Sequence, residues 1–323
     1  MVEVGDLLLA MYGATSGDIA VSKIKGAINQ AILCIRTKQK KKFIESVWNK
    51  HVSKNLRKYL QGGQGNLSAD IVKGISFFFP TLKEQKKIAN LVSLLDERIT
   101  TQNKIIDKLQ SLIKGLEDNL LDNPLWEKTY LRSFMQFFPT NSLSWEQLSY
   151  KEGAIRNLHY GLIHSFQTRG INSASLPMIK NEAVPKQYIS CQVGDVAFAD
   201  ASEDTGEIAK SVEFVNTIEG DTICGLHTIH GRDIKNRTVV GFKGFAFNSR
   251  YFHNQIKRLA QGTKVFSITA NNLSSCYVYL PDLETQKAIV KLLRSYEEQL
   301  IIGRLILKQY EKQKQYLLRH MFI

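Results

Sequence analysis

The sequence predicts an α+β fold in which two copies of one globular unit, the first of them partial, are separated by a long antiparallel two-helix coiled coil. Three observations predict this fold: an internal repeat, a heptad pattern of apolar residues after each copy, and strand and helix signals that are complete only in the second copy. The 323 residues are 43% hydrophobic and 23% charged, an ordinary globular composition. A chain of this length suits about two domains.

The repeat consists of two blocks. Residues 80–88 match residues 281–289 at an offset of 201, and the two segments share Pro, Leu, Gln, Lys and Ile. Residues 5–20 match residues 194–209 at an offset of 189, beginning with Gly-Asp in both copies. About 70 residues precede the second block within the second copy, whereas four precede it in the first. We therefore expect the first copy to lack the N-terminal half of the unit.

These blocks divide the chain into four parts. They are a truncated first unit at 1–83, a first long helix at 84–122, a complete second unit at 123–283 and a second long helix at 284–323. Because the strands at 5–35 belong to an incomplete unit, we expect them to lack sheet neighbours.

Each long helix follows a proline and carries apolar residues at alternating spacings of four and three, which is the seam pattern of a coiled coil. At 1.5 Å per residue each predicted helix is roughly 50 Å long. Gln102 and Gly303 occupy the same position of this seam. Such a pair either fixes the register or is a tolerated imperfection, and the sequence leaves both readings open. The predicted seam residues are Ile88, Val92, Leu95, Ile99, Ile106, Leu109, Ile289, Leu293, Tyr296, Leu300, Leu307 and Tyr310.

The complete unit has the local signals of an α+β domain. Runs of β-branched and apolar residues predict strands near 194–199, 208–214, 222–229, 238–240 and 274–280. Helices are predicted at 247–261 and, in the first copy, at 42–61. His227 lies within one of the predicted strands, so we expect it to be a core histidine.

A search for catalytic and metal motifs finds none, so we expect a non-catalytic chain. There is no phosphate-binding glycine loop, and Asn123-Pro124-Leu125-Trp126 lacks the second proline of a base-gripping methyltransferase loop. The stretch 227–230 lacks the glutamate of a zinc-protease helix, and we expect no metal site. Cys34, Cys191, Cys224 and Cys276 lie far apart, which is typical of a reducing compartment. With no secretory signal and no long apolar run, we expect a cytoplasmic location and no membrane association.

The charge balance favours nucleic acid as a partner. The chain has 43 basic and 30 acidic residues, a net charge of +13, and residues 1–83 alone carry 13 basic against 5 acidic residues. Such an excess attracts phosphate backbones. The alternative of a different class is a helical-rod interaction protein that does not bind DNA and whose charge is incidental.

Residues that could contact DNA are polar side chains in the predicted loops. Base edges take Arg, Asn, Ser, Thr and similar groups, and phosphates take Lys and Arg. Four acidic residues in the loop at 200–207 weaken the candidacy of that loop. The candidates are Tyr12, Thr15, Ser16, Lys23 and Gln64 in the first copy, and Arg156, Asn157, His159, Tyr160, Lys180, Ser202, Thr205 and Lys264 in the second.

Several of these motifs together resemble a known family. They are the Pro-x-Leu-x-x-Gln-x-x-Ile start of each long helix, the Gly-Asp blocks, Gly225-Leu226-His227-Thr228 and the stretch 155–161. Over essentially the whole chain they resemble the specificity (S) subunit of type I restriction–modification systems.

This resemblance implies a function and a set of partners. In that family two target recognition domains each read one half of a bipartite double-stranded DNA site, and two antiparallel helices set the distance between the half-sites. The subunit itself has no catalysis and no cofactor. It binds methyltransferase (M) subunits that use S-adenosylmethionine, and this assembly recruits restriction (R) subunits that use ATP and magnesium.

The sequence departs from the family in its missing first half-domain, which leaves two hypotheses. The chain is either a silent cassette awaiting recombination, or a half-subunit in which residues 84–323 form a homodimer that reads a palindromic site.

Overall fold

The computed structural model describes residues 1–59, 67–166, 169–216, 218 and 220–321, and within the first helix it describes side chains as far as residue 51. The chain divides into two compact units, Met1–Asp107 with Ile301–Ile323 (unit 1) and Lys108–Leu300 (unit 2). The predicted α+β fold with two long helices is confirmed. No helix in these ranges is both long and apolar enough to cross a membrane.

Unit 1 contains a small antiparallel sheet with helices packed on it. Its elements are β1 (Leu7–Ala10), β2 (Ile19–Val21), β3 (Ile32–Ile35), α1 (Lys41–Tyr59) and α2 (Ala69–Lys73).

The strands of unit 1 do have sheet neighbours, so the expectation that they lack them is wrong. They pair with one another in the order β2-β1-β3. Leu9 of the central strand packs with Met11, Trp48 and Leu67 in a small core. The Trp48 indole Nε1 donates a hydrogen bond of 2.6 Å to the Gly17 carbonyl, which fixes the turn between β1 and β2 to α1. The three strands therefore share a small core with α1.

Unit 2 contains the segment 123–283, which the sequence predicts to be the second globular unit. Its elements are β4 (Glu127–Tyr130), β5 (Met135–Phe138), β6 (Leu148–Ser149), β7 (Arg156–Leu158), α4 (Tyr160–Ser165), β8 (Gly170–Ile171), β9 (Met178–Ile179), β10 (Val196–Ala199), β11 (Ala201–Ser202), β12 (Ser211–Phe214), β13 (Thr222–Cys224), β14 (Thr228–Asp233), α5 (Phe242–Ala246), α6 (Arg250–Leu259), β15 (Phe266–Ser267), α7 (Ala270–Ser275) and β16 (Tyr277–Leu280). The long helices α3 (Leu82–Leu121) and α8 (Leu283–His320) each contribute to both units.

The main sheets of unit 2 are a five-stranded sheet, β5-β14-β10-β12-β8, and a four-stranded sheet, β13-β7-β9-β6. Three of the strand predictions need correction. The stretch 222–229 is two strands that belong to different sheets, because the chain turns between Cys224 and Thr228. The stretch 238–240 forms no strand, and 274–280 begins in α7. Helix α6 is shorter at both ends than the predicted 247–261.

The Gly-Asp repeat has the same structure in both units. Gly5 and Gly194 have positive φ values of 89° and 90°, a backbone region that glycine enters without strain. The aspartate that follows is buried in each case and pairs with an arginine of the opposing strand, Asp6 with Arg36 at 3.1 Å and Asp195 with Arg232 at 2.7 Å. The repeat therefore places a buried aspartate, paired with an arginine, at the start of a strand in both units.

The Pro-x-Leu-x-x-Gln motif is also explained. Gln85 Nε2 donates 2.9 Å to the Pro80 carbonyl, and Gln286 Nε2 donates 3.0 Å to the Pro281 carbonyl. The Gln85 amide oxygen accepts the backbone N–H of Lys40, and the Gln286 amide oxygen accepts that of Val239. Both glutamines are almost fully buried. The motif therefore ties the first turn of each long helix to its own globular unit.

The long helices pack antiparallel within each unit. In unit 1, Asp96 of α3 pairs with Lys314 of α8 at 2.6 Å, and six residues later Gln102 Nε2 donates 3.1 Å to the Gly303 carbonyl. Added to Gly303, a Cβ would lie 3.1 Å from the Gln102 amide, so the small residue makes room for this bond. The hydrogen bond favours register fixing over a tolerated imperfection. All twelve predicted seam residues are buried or half-buried.

In unit 2 the two long helices place two carboxylates beside one arginine. Glu117 of α3 and Glu297 of α8 both lie beside Arg169, at 3.2 and 3.9 Å. Burial raises the pKa of Glu117, and burial raises the pKa of Glu297 to about 7 despite the opposing arginine.

We expect this pair to make unit 2 less stable as pH rises. The pKa of Glu297 is about 7 in the fold and 4.5 normally, so the unfolded chain releases this proton at a lower pH than the folded chain. The stability of the fold is therefore unaffected by this group below pH 4.5 and falls as the pH rises from 4.5 to 7. The loss amounts to about 3 kcal/mol at about 1.4 kcal/mol per pKa unit. In urea unfolding at pH 8, Glu297→Gln should exceed the parent in stability, whereas the exposed neighbour Glu298→Gln should not. An unchanged pH slope in Glu297→Gln would contradict this prediction.

Candidate nucleic-acid interface

Three strand ends of unit 2 converge on one edge. Strands β7 and β13 are parallel, so their carboxyl ends lie side by side. The Tyr160 backbone N–H, just after β7, donates 3.2 Å to the Leu226 carbonyl after β13. The Asp200 N–H, after β10, donates 3.1 Å to the His227 carbonyl. The edge therefore collects the loops at 159–160, 225–227 and 200–206.

His227 lies in a turn and not in a strand, so its prediction as a core histidine is wrong. Its φ is +54°, in the left-handed region, and its side chain is 51% exposed. Its Nδ1 lies 3.0 Å from Asp200 Oδ1. A strained backbone that presents an exposed polar ring is typical of functional sites. The continuous apolar pattern of 222–229 gives no sign of this turn. It becomes visible only because β13 and β14 pair in different sheets.

A row of stacked rings runs along this edge. Trp145 packs on His159 with ring centroids 4.4 Å apart, His159 on Tyr160 at 4.7 Å, and Tyr160 meets His227 edge-on at 5.3 Å. Trp145 is 45% exposed and Tyr160 is half-buried, whereas His159 is buried. Burial, and to a smaller extent the nearby His227, lower the pKa of His159. His159 is therefore a neutral ring within the row, between the exposed Trp145 and the half-buried Tyr160.

Three of the predicted contacts lie in or under this edge and already serve the fold. Arg156 donates from Nη1 to the carbonyls of Ala174 and Leu176, both at 3.0 Å. Asn157 is fully buried, and the Cβ that any other residue would place at Gly225 would lie 2.4 Å from its Nδ2.

His159 Nδ1 accepts the Gly161 N–H at 3.2 Å. Arg156 thus holds the segment 174–176 beside β7, whereas Asn157 packs against Gly225 and His159 binds the N–H of Gly161.

The loop at 200–206 also pairs with β15 in a two-stranded sheet. Ser202 in β11 lies opposite Phe266 in β15, which brings the exposed Lys264 beside that loop. Thr205 is exposed, and its carbonyl accepts from His253 Nε2 at 3.3 Å. The structure therefore places Lys264 beside the loop that carries Ser202 and Thr205.

The acidic charge of this loop is partly neutralised. Glu207 forms an ion pair with Lys210 at 2.9 Å, and the imidazoles of His227 and His164 lie 3.0 Å from Asp200 and 3.5 Å from Glu207. Partial burial is the largest single influence and would raise the pKa of Glu207, but the hydrogen bonds and charges of Lys210 and His164 together outweigh it and lower that pKa. The loop is therefore less repulsive to phosphate than its composition indicates.

Other candidates lie elsewhere. Lys180 follows β9, which runs antiparallel to β7, so it lies at the end of the sheet opposite Tyr160. In unit 1, Tyr12, Thr15 and Ser16 share the turn after β1, and the Ser16 hydroxyl donates to the Met11 carbonyl at 3.0 Å. Lys23 follows β2 at the other end of that sheet. Gln64 lies outside the described residues.

Comparison with known proteins identifies a family with two separate matches. The family model described as the type I restriction modification DNA specificity domain matches residues 2–111 and again residues 175–310. The type I restriction enzyme MjaVIII specificity subunit of Methanocaldococcus jannaschii is 26% identical, over 97% of this chain and 77% of its own length.

Solved structures share the fold at lower sequence identity. The type I restriction-modification S subunit from M. genitalium is similar with a TM-score of 0.62 at 14% identity, covering 100% of this chain and 84% of that one. A chain from a structure of the type I R-M system, solved for its complex assembly and conformational transition, gives a TM-score of 0.60 at 16% identity, covering 98% and 81%.

Proposed function

Because the chain belongs to the family of type I restriction modification DNA specificity domains, we propose that it is the DNA-recognition subunit of such a complex. It reads half-sites of a bipartite target and positions the methyltransferase and restriction subunits on the DNA. Those partners carry out methylation and cleavage, and this chain selects the DNA sequence at which they act.

The observation that carries the proposal is the converging edge of unit 2. It presents an exposed imidazole, a half-buried phenol, two hydroxyl residues and a lysine on loops that a rigid sheet holds in place. Such groups can bond base edges in the major groove, and the lysine can bond a phosphate. The proposed contacts at this edge are Tyr160, Ser202, Thr205, His227 and Lys264, with Tyr12, Thr15 and Ser16 in unit 1.

The duplicated family match supports two readers in one chain. Each match contains one Gly-Asp strand start and most of one long helix, so the same two features recur in both matches. The net charge of +13 supplies attraction to the phosphate backbone that does not depend on sequence.

We expect substitutions at this edge to change recognition in two distinguishable ways. Lys264→Gln should weaken binding to all DNA sequences and reduce the salt slope by about one. His227→Ala and Tyr160→Phe should each remove about 1–3 kcal/mol of discrimination, and so relax the motif at one base position. The measurement is adenine methylation mapped genome-wide after co-expression with the methyltransferase partner, together with salt-dependent DNA binding of the complex.

Lys180→Gln is the matched control, because it removes the same charge at the opposite end of the sheet. An unchanged motif and unchanged affinity in all three edge variants would overturn the placement of the interface. The symmetry of the parental motif also separates two modes of assembly. An asymmetric motif supports one chain reading two halves, and a palindromic motif supports two chains reading the same half.

A further inference from the structure

We propose that Cys191, Cys224 and His230 form a binding site for a zinc ion. Their donor atoms all lie within 4.8 Å of one another, and all three side chains are buried. Two thiols and an imidazole are a donor set that zinc prefers. Cys191 lies 33 residues before Cys224, which ends β13, and His230 lies in the next strand, β14. This inference does not depend on which DNA the protein reads.

The sulfur separation fits a shared metal better than a disulfide. The Cys191 and Cys224 Sγ atoms lie 3.6 Å apart. Two thiolates on one tetrahedral zinc, each at about 2.3 Å, would be about 3.8 Å apart, whereas a disulfide requires about 2.0 Å. The pair is therefore already spaced for ligation and would have to move to form a covalent bond.

His230 makes the carboxylate contact that is common among metal-binding histidines. Its Nε2 lies 2.7 Å from Asp195 Oδ2, and Asp195 is itself held by Arg232 at 2.7 Å. A carboxylate on one ring nitrogen fixes the ring and directs the lone pair of the other nitrogen to a metal. With Nε2–H donated to Asp195, Nδ1 is the nitrogen whose lone pair remains available.

The charges balance when zinc is bound. Two thiolates neutralise a divalent cation, and Asp195 neutralises Arg232, so the buried group has no net charge. An unbalanced charge at this depth would be costly, because the surroundings cannot solvate it. Binding would release one proton from each thiol, so affinity should increase with pH.

The fourth zinc ligand would be a water molecule. Cys224 also lines a cavity of about 280 Å³ beside Thr140 and Asn141, which is large enough to hold water. Bound zinc would connect the segment before β10, through Cys191, to the end of β13. Because the turn that carries His227 follows Cys224 directly, the metal would stiffen that turn.

The test uses the full-length chain, purified without chelators and dialysed into metal-free buffer. We expect about one zinc per chain by elemental analysis. After exchange with cobalt(II), we expect a thiolate-to-cobalt charge-transfer band together with the strong visible bands of a tetrahedral site. Both signals should disappear in Cys191→Ser and Cys224→Ser and persist in Cys276→Ser, which removes a buried thiol outside the cluster.

Two results would overturn the proposal. One is parental protein that retains no zinc and gives no charge-transfer band with added cobalt. The other is an intact mass two hydrogens lighter than the reduced chain, with Cys191 and Cys224 linked by a disulfide. The parental spectrum decides the matter even if a serine variant fails to fold.

Discussion

Replacing Lys243 with methionine should destabilise unit 2 by about 3–5 kcal/mol, the usual cost of removing one partner of a buried ion pair. Lys243 Nζ lies 3.1 Å from Glu213 Oε1, with the side chains 3% and 0% exposed. Glu213 also accepts the backbone N–H groups of Gly241 and Gly244, both at 2.8 Å. Without the lysine its carboxylate would remain buried with no cation to balance it. The measurement is urea unfolding at pH 7, followed by tryptophan fluorescence.

Two comparisons make this prediction specific. Glu213→Gln combined with Lys243→Met should recover part of the loss, because an amide oxygen can still accept a glycine N–H without carrying charge. Lys287→Met removes an exposed lysine from its pair with Glu284 and should change stability by less than about 1 kcal/mol. A loss in Lys243→Met as small as that of Lys287→Met would contradict the burial of the pair.

Lengthening both long helices by one heptad should move the two halves of the methylated motif apart by about three base pairs. Seven residues add about 10 Å of helix, and duplex DNA rises about 3.4 Å per base pair. Duplicating residues 99–105 of α3 and 300–306 of α8 lengthens both helices beside the Gln102–Gly303 bond and keeps the apolar seam in phase. The measurement is the spacing of the motif mapped after co-expression with the methyltransferase partner.

The same duplication in α3 alone is the control. It moves the part of α3 after the insertion, which includes Glu117, by about two turns relative to the Asp96–Lys314 and Gln102–Gly303 contacts with the unaltered α8. We expect that variant to lose methylation altogether. A motif of unchanged spacing from the doubly lengthened chain would show that the helices do not set the distance between half-sites.

The sequence by itself determined the features that repeat or alternate along the chain. The heptads predicted which residues of α3 and α8 are buried, because a helix places every third and fourth side chain on one face. The matched Gly-Asp blocks predicted equivalent strand starts, since equal local sequence meets equal steric constraints. The sequence also placed Gln102 and Gly303 at one seam position, although it left their role open.

Only the tertiary structure decided the features that depend on which strands become neighbours. The run 222–229 looks continuous, yet pairing to two different sheets breaks it and turns His227 outward. The strands of unit 1 pair with one another, although the sequence predicted that they would lack sheet neighbours. Cys191, Cys224 and His230 meet because strand pairing brings distant segments together. Such contacts are set by pairing and packing across the fold, which no local pattern encodes.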